Sequence, residues 1–158
     1  MLNYPSILRP YLKHTRQLIY VGGAGVINLV NDGDMEAVGV ASWSLFNAAV
    51  RTKETVDPHS GTQCLRVARS TTNNPHVRQV ILTSTVAYEY EGYARSDGSA
   101  IPRFTNGSGT ALFIGTTATT WQLASGSFTA DGTSPRWQAT TSTGTQYCEF
   151  DDWIIWAA

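Results

Sequence analysis

The sequence predicts an all-β sandwich that follows a short N-terminal arm. From residue 26 onward, short runs rich in Val, Ile, Tyr, Trp and Thr alternate with Gly, Ser, Asn and Pro at intervals of about ten residues, as in two packed antiparallel sheets. The chain has 158 residues, of which 42% are hydrophobic, and this is enough for one domain with a buried core. We therefore expect an arm with a glycine-rich joint at residues 1–27 and one sandwich at residues 28–158.

The strands follow from runs of β-branched and aromatic residues, and the turns from Gly, Asn, Asp and Pro. Turns are predicted at Asn73-Asn74-Pro75, Asp97-Gly98, Asn106 to Gly109 and Asp131-Gly132. Two short segments, 6–14 and 44–50, have helical patterns, although Pro10 interrupts the first. The predicted strands lie at 26–31, 62–69, 76–83, 86–95, 100–104, 110–114, 120–129, 135–140 and 146–156.

The N-terminal arm carries much apolar surface, which must pack against something. It continues into Leu18-Ile19-Tyr20-Val21 and a flexible joint, Gly22-Gly23-Ala24-Gly25. Two roles fit this pattern. The arm adds an edge strand to its own sandwich, or it reaches a sister subunit or a particle surface, where strand addition supplies main-chain hydrogen bonds. The apolar residues of this assembly arm are Leu2, Tyr4, Ile7, Leu8, Tyr11 and Leu12.

The composition disfavours nucleic acid and membranes as partners. The net charge is -1, and only 15% of the residues are charged, so the whole chain has no excess of cations for phosphates. No run reaches the ~18 apolar residues that a membrane span needs. Pro5, Arg9 and Pro10 interrupt the apolar start, which therefore does not resemble a secretion signal. We expect a protein made in a cytoplasm, with polar but uncharged strands typical of secreted and virion proteins.

Catalytic motifs are not evident, and we expect no enzyme. Glu89 and Glu91 lie two residues apart on a predicted strand and point the same way, whereas glycosidases need carboxylates on opposite sides of the scissile bond. His14, His59 and His76 are scattered and lack the spacing of zinc ligands. They are interpreted as surface histidines.

Five segments carry a family resemblance through their order and spacing: Asn28 to Glu36, Ser60 to Val67, Val86 to Arg95, Trp121 to Thr129 and Glu149 to Trp153. Together they resemble the jelly-roll carbohydrate-binding modules of families 4, 9 and 22, within the galactose-binding-like group. The resemblance implies a jelly-roll sandwich and a role in binding or structure. Met35 and Trp153 replace other apolar residue types of these families, so the fold prediction is unaffected. Trp121, Trp137 and Trp153 match core positions.

The resemblance also implies one structural Ca²⁺ where the first and last strands meet. Glu36 and Asp152 match positions that donate carboxylates in these modules, and Asp57 lies in a loop that could supply a third ligand. Calcium binds six to eight such oxygens at about 2.3–2.6 Å. The alternative is that Glu36 and Asp152 accept hydrogen bonds from backbone amides at a strand end.

A glycan site is conceivable on the concave sheet face. If Tyr88 and Tyr90 face the core, the residues between and after them point outward, because side chains alternate along a strand. An outward tyrosine could stack on a sugar ring while charged neighbours bind its hydroxyl groups. The alternative is ordinary sheet packing with a surface ion pair between Glu91 and Arg95. The candidate ligand-binding residues are Gln79, Glu91, Tyr93 and Arg95, with Gln138 also on a neighbouring strand of that face.

Cys64 and Cys148 are the two cysteines, on an early strand and on the last strand. A disulfide would need Cα atoms within about 7 Å. A protein that assembles in a reducing cytoplasm keeps its thiols, and buried Cys behaves as a small hydrophobic residue. We expect both to be reduced.

The main functional hypothesis is a non-enzymatic virion accessory protein, such as a phage capsid decoration or tail component. It would attach through its arm and one sandwich face to a capsid or tail protein, or to sister subunits in a homo-oligomer. The alternative is a stand-alone, extracellular carbohydrate-binding module. The long apolar arm favours the first hypothesis, since a sugar-binding module does not need it.

Overall fold

The structure is a computed structural model that describes residues 18–21, 24–47, 49–71, 74–141 and 144–158. The apolar arm, the predicted helix at 6–14, His14 and one residue of the predicted turn at Asn73 lie outside these ranges. The described residues form strands and turns without a helix, which confirms the all-β prediction.

Two five-stranded antiparallel sheets pack face to face, and a separate hairpin precedes them. One sheet has the order β10-β7-β12-β5-β4 and the other β3-β6-β11-β8-β9, while β1 pairs with β2. The strands are β1 Leu18–Val21, β2 Ala24–Ile27, β3 Ser44–Phe46, β4 Ala49–Glu54, β5 Cys64–Arg69, β6 His76–Arg78, β7 Ala87–Ser96, β8 Ile101–Thr105, β9 Ala111–Ile114, β10 Gln122–Thr129, β11 Arg136–Thr140 and β12 Tyr147–Ala157.

The core lies between the two sheets and is rich in aromatic rings. Along β7, Tyr88 and Tyr90 are buried while Glu89 and Glu91 are exposed, as the alternation predicts. Trp137 meets the Phe104 ring at 5.2 Å and the Trp153 ring at 5.7 Å, measured between centroids. The fully buried members of the core include Met35, Trp43, Leu65, Val67, Val77, Phe104, Trp137, Phe150, Trp153 and Ile155.

A bulge in β12 allows two large residues close in sequence to face the core. The register of β12 against β7 shifts between Asp151 and Ile154, and Asp152 has a φ of 54°. Phe150 and Trp153 both point inward as a result. The Trp153 ring lies against Gly92 on β7, where an added Cβ would come within 2.3 Å of the ring.

Hydrogen bonds join the start of the sandwich to its last strand. Asn28 accepts a bond from the backbone N–H of Ile155 at 3.1 Å and donates to the carbonyl of Trp153 at 3.1 Å. Leu29 N–H donates to Ile155 C=O at 2.8 Å, and Trp153 N–H donates to Gly33 C=O at 2.8 Å. The two ends of the sandwich are therefore held together by main-chain and amide groups.

The predicted elements differ from the structure at three places. The helix predicted at 44–50 is wrong, because Asn47, with a φ of 53°, lies in the turn between β3 and β4. The strand predicted at 26–31 ends at Ile27. The strand predicted at 76–83 ends at Arg78. The side-chain amide of the next residue, Gln79, accepts a hydrogen bond from the backbone N–H of Asn31 at 2.9 Å and donates one to its carbonyl at 2.7 Å.

The two cysteines are free and buried, as predicted. They lie on adjacent strands, β5 and β12, but on opposite faces: Cys148 is opposite Val67 in the core, whereas Cys64 points outward with Arg66. Burial raises the pKa of the Cys64 thiol to about 12, with the charges of Glu149 and Asp151 adding to the effect.

No helix in the described part of the chain is long and apolar enough to cross a membrane.

Candidate functional site

The outer faces of the two sheets differ in charge. We call the outer side of β10-β7-β12-β5-β4 the acidic face, after its carboxylates Glu54, Glu89, Glu91, Glu149 and Asp151. We call the outer side of β3-β6-β11-β8-β9 the arginine face, after Arg78, Arg103 and Arg136. The net charge of the whole chain therefore conceals two surfaces of opposite sign.

Glu149 organises the centre of the acidic face. Its side chain is 3% exposed, and its two oxygens accept hydrogen bonds from Arg66 at 2.8 Å and from Arg95 at 2.6 Å. Arg95 also donates to Asp57 at 2.6 Å and to the carbonyl of Val56 at 2.9 Å. The predicted ion pair between Glu91 and Arg95 is therefore replaced by a network that is largely internal.

The loop between β4 and β5, residues 55–63, folds over Tyr93. The His59 ring stacks on the Tyr93 ring with centroids 3.5 Å apart, and its Nδ1 pairs with Asp152 Oδ2 at 2.8 Å. Trp121 stands beside this stack: its ring lies 4.6 Å below the guanidinium carbon of Arg95. The interpretation of Trp121 as a core residue is thus wrong, because Trp121 lies outside the core cluster. His59 is partly exposed, with 29% of its side chain accessible, which agrees with its interpretation as a surface histidine.

The predicted ligand-binding set is divided between the two sheets. Glu91, Tyr93 and Arg95 share the outer side of β7, as predicted. Gln79, which follows β6, and Gln138 on β11 do not join them, because β6 and β11 belong to the other sheet. With Tyr93 covered by His59 and Arg95 paired to carboxylates, Glu91 is the member of this set left exposed on the acidic face.

The predicted calcium ligands do not form one site in this structure. Asp57 binds Arg95, and Asp152 binds His59 and, at 2.9 Å, the Ser60 hydroxyl. Glu36 accepts bonds from the backbone and hydroxyl of Thr62 and from Gln63. No three His, Cys, Asp or Glu residues of the described ranges are grouped so as to hold a metal ion.

Each of these carboxylates is already neutralised or hydrogen-bonded by protein donors, so the residues present do not fit the ion. Although partial burial raises it, the hydrogen bonds from Thr62 and Gln63 hold the pKa of Glu36 below its ordinary value. A buried ammonium is present nearby instead: Lys53 Nζ lies 2.7 Å from Asp32 Oδ2 and donates to the carbonyl of Met35.

Asp151 is a fully buried carboxylate on the acidic face. It accepts backbone bonds from His59 at 2.9 Å, Ser60 at 3.2 Å and Asp152 at 2.8 Å. Burial and the neighbouring charge of Asp152 raise the pKa of Asp151 to about 7, against the lowering effect of the three backbone hydrogen bonds. This carboxyl therefore changes charge near neutral pH.

The arginine face consists of two rows of side chains that cross the five strands. Residues directly opposite one another in a sheet point to the same side. The row that contains Phe46, His76, Gln138, Arg103 and Ile114 follows from the registers of four strand pairs. The parallel row contains Ser44, Arg78, Arg136, Thr105 and Ala111.

The polar groups of this face have few partners within the described residues. Gln138 is 8% exposed and makes no side-chain hydrogen bond there. The Nε atom of Arg103 is buried without an acceptor. Arg78 has its guanidinium 3.8 Å over the ring of Phe46, and Arg136 donates to the carbonyl of Gly107 at 3.3 Å. The unpaired groups of this face among the described residues therefore include the Gln138 amide and Arg103 Nε, both largely buried.

His76 lies in the first row between Phe46 and Gln138. It is 5% exposed, and its ring stacks on Phe46 with centroids 5.3 Å apart. Burial lowers the pKa of His76 below its ordinary value, and the charges of Arg136 and Arg78 lower it further. The interpretation of His76 as a surface residue is wrong, because the side chain is buried.

Of the residues on this face, only Gln138 was among the ligand-binding residues predicted from the sequence. The sequence signal for the others is the alternation His76-x-Arg78, Arg103-x-Thr105 and Arg136-x-Gln138 on three strands. The strands are far apart in sequence, so their juxtaposition follows only from the sheet order.

The paired five-stranded sheets share the β-sandwich fold of solved carbohydrate-binding modules, which confirms the jelly-roll fold that the sequence implied. The C-terminal family 22 module of Clostridium thermocellum Xyn10B has this fold, with a TM-score of 0.62 and 14% identity, over 80% of this chain and 91% of that chain. TmCBM61, solved with β-1,4-galactotriose, has a TM-score of 0.56 and 10% identity over 83% and 99%.

A phage protein also has a domain of this shape. The enzymatically active domain of tailspike protein 4 from bacteriophage CBA120 matches with a TM-score of 0.56 and 11% identity, over 83% of this chain and 21% of that chain. At these identities the likeness establishes the fold alone. No protein-family profile and no curated protein sequence matches this chain.

Proposed function

We propose that this protein is a non-catalytic module that binds glycans on its arginine face. The observation that carries the proposal is the row across five strands in which the Gln138 amide and the Arg103 guanidinium lack partners among the described residues. Buried polar groups are normally hydrogen-bonded, so unpaired ones aligned on an outer face favour a ligand rich in hydroxyl or charged groups. The carbohydrate-binding modules that share the fold support this class of ligand.

The acidic face is the weaker candidate for the same function. Its aromatic residue Tyr93 is stacked against His59, and its cations bind Glu149 and Asp57 within the protein. A sugar would have to displace the 55–63 loop before it reached these groups. The original assignment of the glycan site to Tyr93 and Arg95 therefore gives way to the arginine face.

Affinity electrophoresis in gels that contain soluble polysaccharides tests the proposal. The panel would hold neutral β-glycans, including a xylan and a galactan, together with acidic ones. At least one should retard the full chain, and Gln138→Ala should abolish that retardation. Glu91→Ala is the control, because Glu91 is an exposed side chain of the acidic face.

Either of two results would count against the proposal. If no polysaccharide of the panel retards the protein, glycan binding is not its function. If Glu91→Ala abolishes retardation while Gln138→Ala does not, the site lies on the acidic face instead.

A second candidate role is that of a virion protein, such as a capsid decoration or tail component made in a host cytoplasm. The match to a phage tailspike domain favours it, as does the apolar arm in the sequence. In this role the arm would bind a capsid or tail protein or a sister subunit, while the arginine face would remain free for a glycan. The two roles are compatible.

Light scattering on a sizing column tests the role of the arm. We expect the full chain to form a defined oligomer, and a variant with Ile7→Asp and Leu8→Asp to be a monomer. If both proteins are monomers at the same concentration, the arm does not mediate self-assembly.

A further inference from the structure

Three arginine side chains share the arginine face. Arg78 and Arg136 are directly opposite each other on β6 and β11, a position in which Cβ atoms are about 5 Å apart. Arg103 is opposite Gln138, two residues from Arg136, and is therefore a diagonal neighbour with a separation of about 7–8 Å. Like charges in such positions destabilise a sheet unless an anion lies between them.

No carboxylate of the same sheet offsets these charges. The five strands of this sheet contain no Asp or Glu. None of the ion pairs among the described residues includes Arg78, Arg103 or Arg136. Asp131, in the turn before β11, is hydrogen-bonded to Asn106 and Ser108. Arg66 and Arg95 on the acidic face, in contrast, are both paired with Glu149.

The chemistry of arginine suits a carboxylate or sulfate ligand. A guanidinium is planar and binds such groups through two parallel hydrogen bonds, which are stronger than those to a neutral hydroxyl. Neutral sugars, in contrast, are commonly held by an open aromatic ring. Phe46 is the aromatic side chain in the two rows, and its ring is stacked on His76 with the Arg78 guanidinium above it.

We infer that the arginine face selects acidic glycans, whose carboxylate or sulfate groups bind between Arg78, Arg103 and Arg136 while the Gln138 amide binds a sugar hydroxyl. This inference rests on the glycan-binding function proposed above and adds the charge class of the ligand.

Nucleic acid is the other polyanion that such a face could attract. Proteins that bind single strands combine clustered cations with open aromatic rings on which bases stack. The Phe46 ring is instead in contact with the His76 ring and the Arg78 guanidinium. An acidic polysaccharide, which needs no stacking surface, is therefore the better fit.

Titration calorimetry of the full chain tests the inference with matched polymers. Polygalacturonate is compared with its carboxyl-reduced form, and chondroitin sulfate with unsulfated chondroitin, so that carboxylate and sulfate are distinguished. Oligothymidylate is the nucleic acid probe. The variants are Arg103→Gln and Arg78→Gln, and Arg66→Gln on the acidic face removes the same charge as a control. Circular dichroism verifies that each variant is folded.

We expect an acidic polymer to bind about tenfold more tightly than its neutral counterpart, because charge-assisted hydrogen bonds are worth that much. Arg103→Gln and Arg78→Gln should each weaken binding about tenfold, and added salt should weaken it as well. Arg66→Gln should bind as the unmodified chain does. If Arg103→Gln is unfolded, the affinity of Arg78→Gln and the salt dependence of binding test the inference in its place.

Three results would overturn the inference. Equal binding of the neutral and acidic polymers removes the charge selectivity and leaves the proposed glycan binding intact. Tighter binding of oligothymidylate, lost in the same variants, identifies nucleic acid as the ligand. No binding of any polymer here, with no retardation by the neutral panel, means that the proposed function itself has failed.

Discussion

The buried ion pair between Lys53 and Asp32 should be a major source of stability. The two side chains are 8% and 2% exposed, with Nζ and Oδ2 2.7 Å apart. Removal of one partner of such a pair costs about 3–5 kcal/mol, because the other charge stays buried without compensation. Asp32 retains two donors, Ala37 N–H at 2.8 Å and Trp43 Nε1 at 3.1 Å. We therefore expect Lys53→Met to lower the free energy of unfolding by about 3 kcal/mol, near the lower end of this range.

Urea unfolding followed by tryptophan fluorescence gives this free energy. Glu89→Gln, an exposed change on β7, is the control and should alter stability by less than about 0.5 kcal/mol. The double variant Lys53→Met with Asp32→Asn should recover at least about 1 kcal/mol, since the unpaired charge is then gone. If Lys53→Met costs no more than the control, the ammonium does not have the structural role inferred for it.

Further predictions concern pH, packing and calcium. The pKa of Asp151 in the folded state, about 7, lies above the ordinary aspartate value of 3.8, so the native state retains a proton that the unfolded state loses. The contribution of Asp151 to the free energy of unfolding is fully present below pH 4 and falls by about 4 kcal/mol as the pH rises to 7. In the Asp151→Asn variant the free energy of unfolding should depend less on pH in this window. Gly92→Ala should cost about 1–3 kcal/mol in urea unfolding, because its Cβ would overlap the Trp153 ring, whereas Ser127→Ala on the exposed side of β10 should cost little. The melting temperature should be the same in calcium as in EDTA, since a ligand that does not bind the native state cannot stabilise it. A higher melting temperature in calcium would show that Glu36, Asp57 and Asp152 rearrange around the ion.

Local pattern predicted the elements that face the core. Tyr88 and Tyr90 alternate with Glu89 and Glu91, and this period of two is sufficient to place β7 with one buried side. The turns at Asp97-Gly98 and Asn106 to Gly109 follow from residues that tolerate a positive φ, which is 96° at Gly98. These features depend on neighbours in sequence.

The candidate site depends on contacts that are distant in sequence. Arg78, Arg103 and Arg136 meet only because β6, β11 and β8 are adjacent, an order that no local pattern specifies. The covering of Tyr93 by His59 depends on the path of a loop. For the same reason Lys53, an ordinary charged residue of an edge strand by sequence, could not be predicted to reach Asp32.

The central claim is that the ligand binds the arginine face, and nuclear magnetic resonance tests it most directly. Amide and side-chain shifts of the labelled full chain would be followed while a polygalacturonate oligosaccharide is added. The changes should concentrate on β6, β8 and β11, with the Gln138 side-chain amide and the Arg103 Nε–H among the largest. Changes concentrated around Tyr93 on β7 and along β10, with the arginine face unmoved, would contradict the assignment.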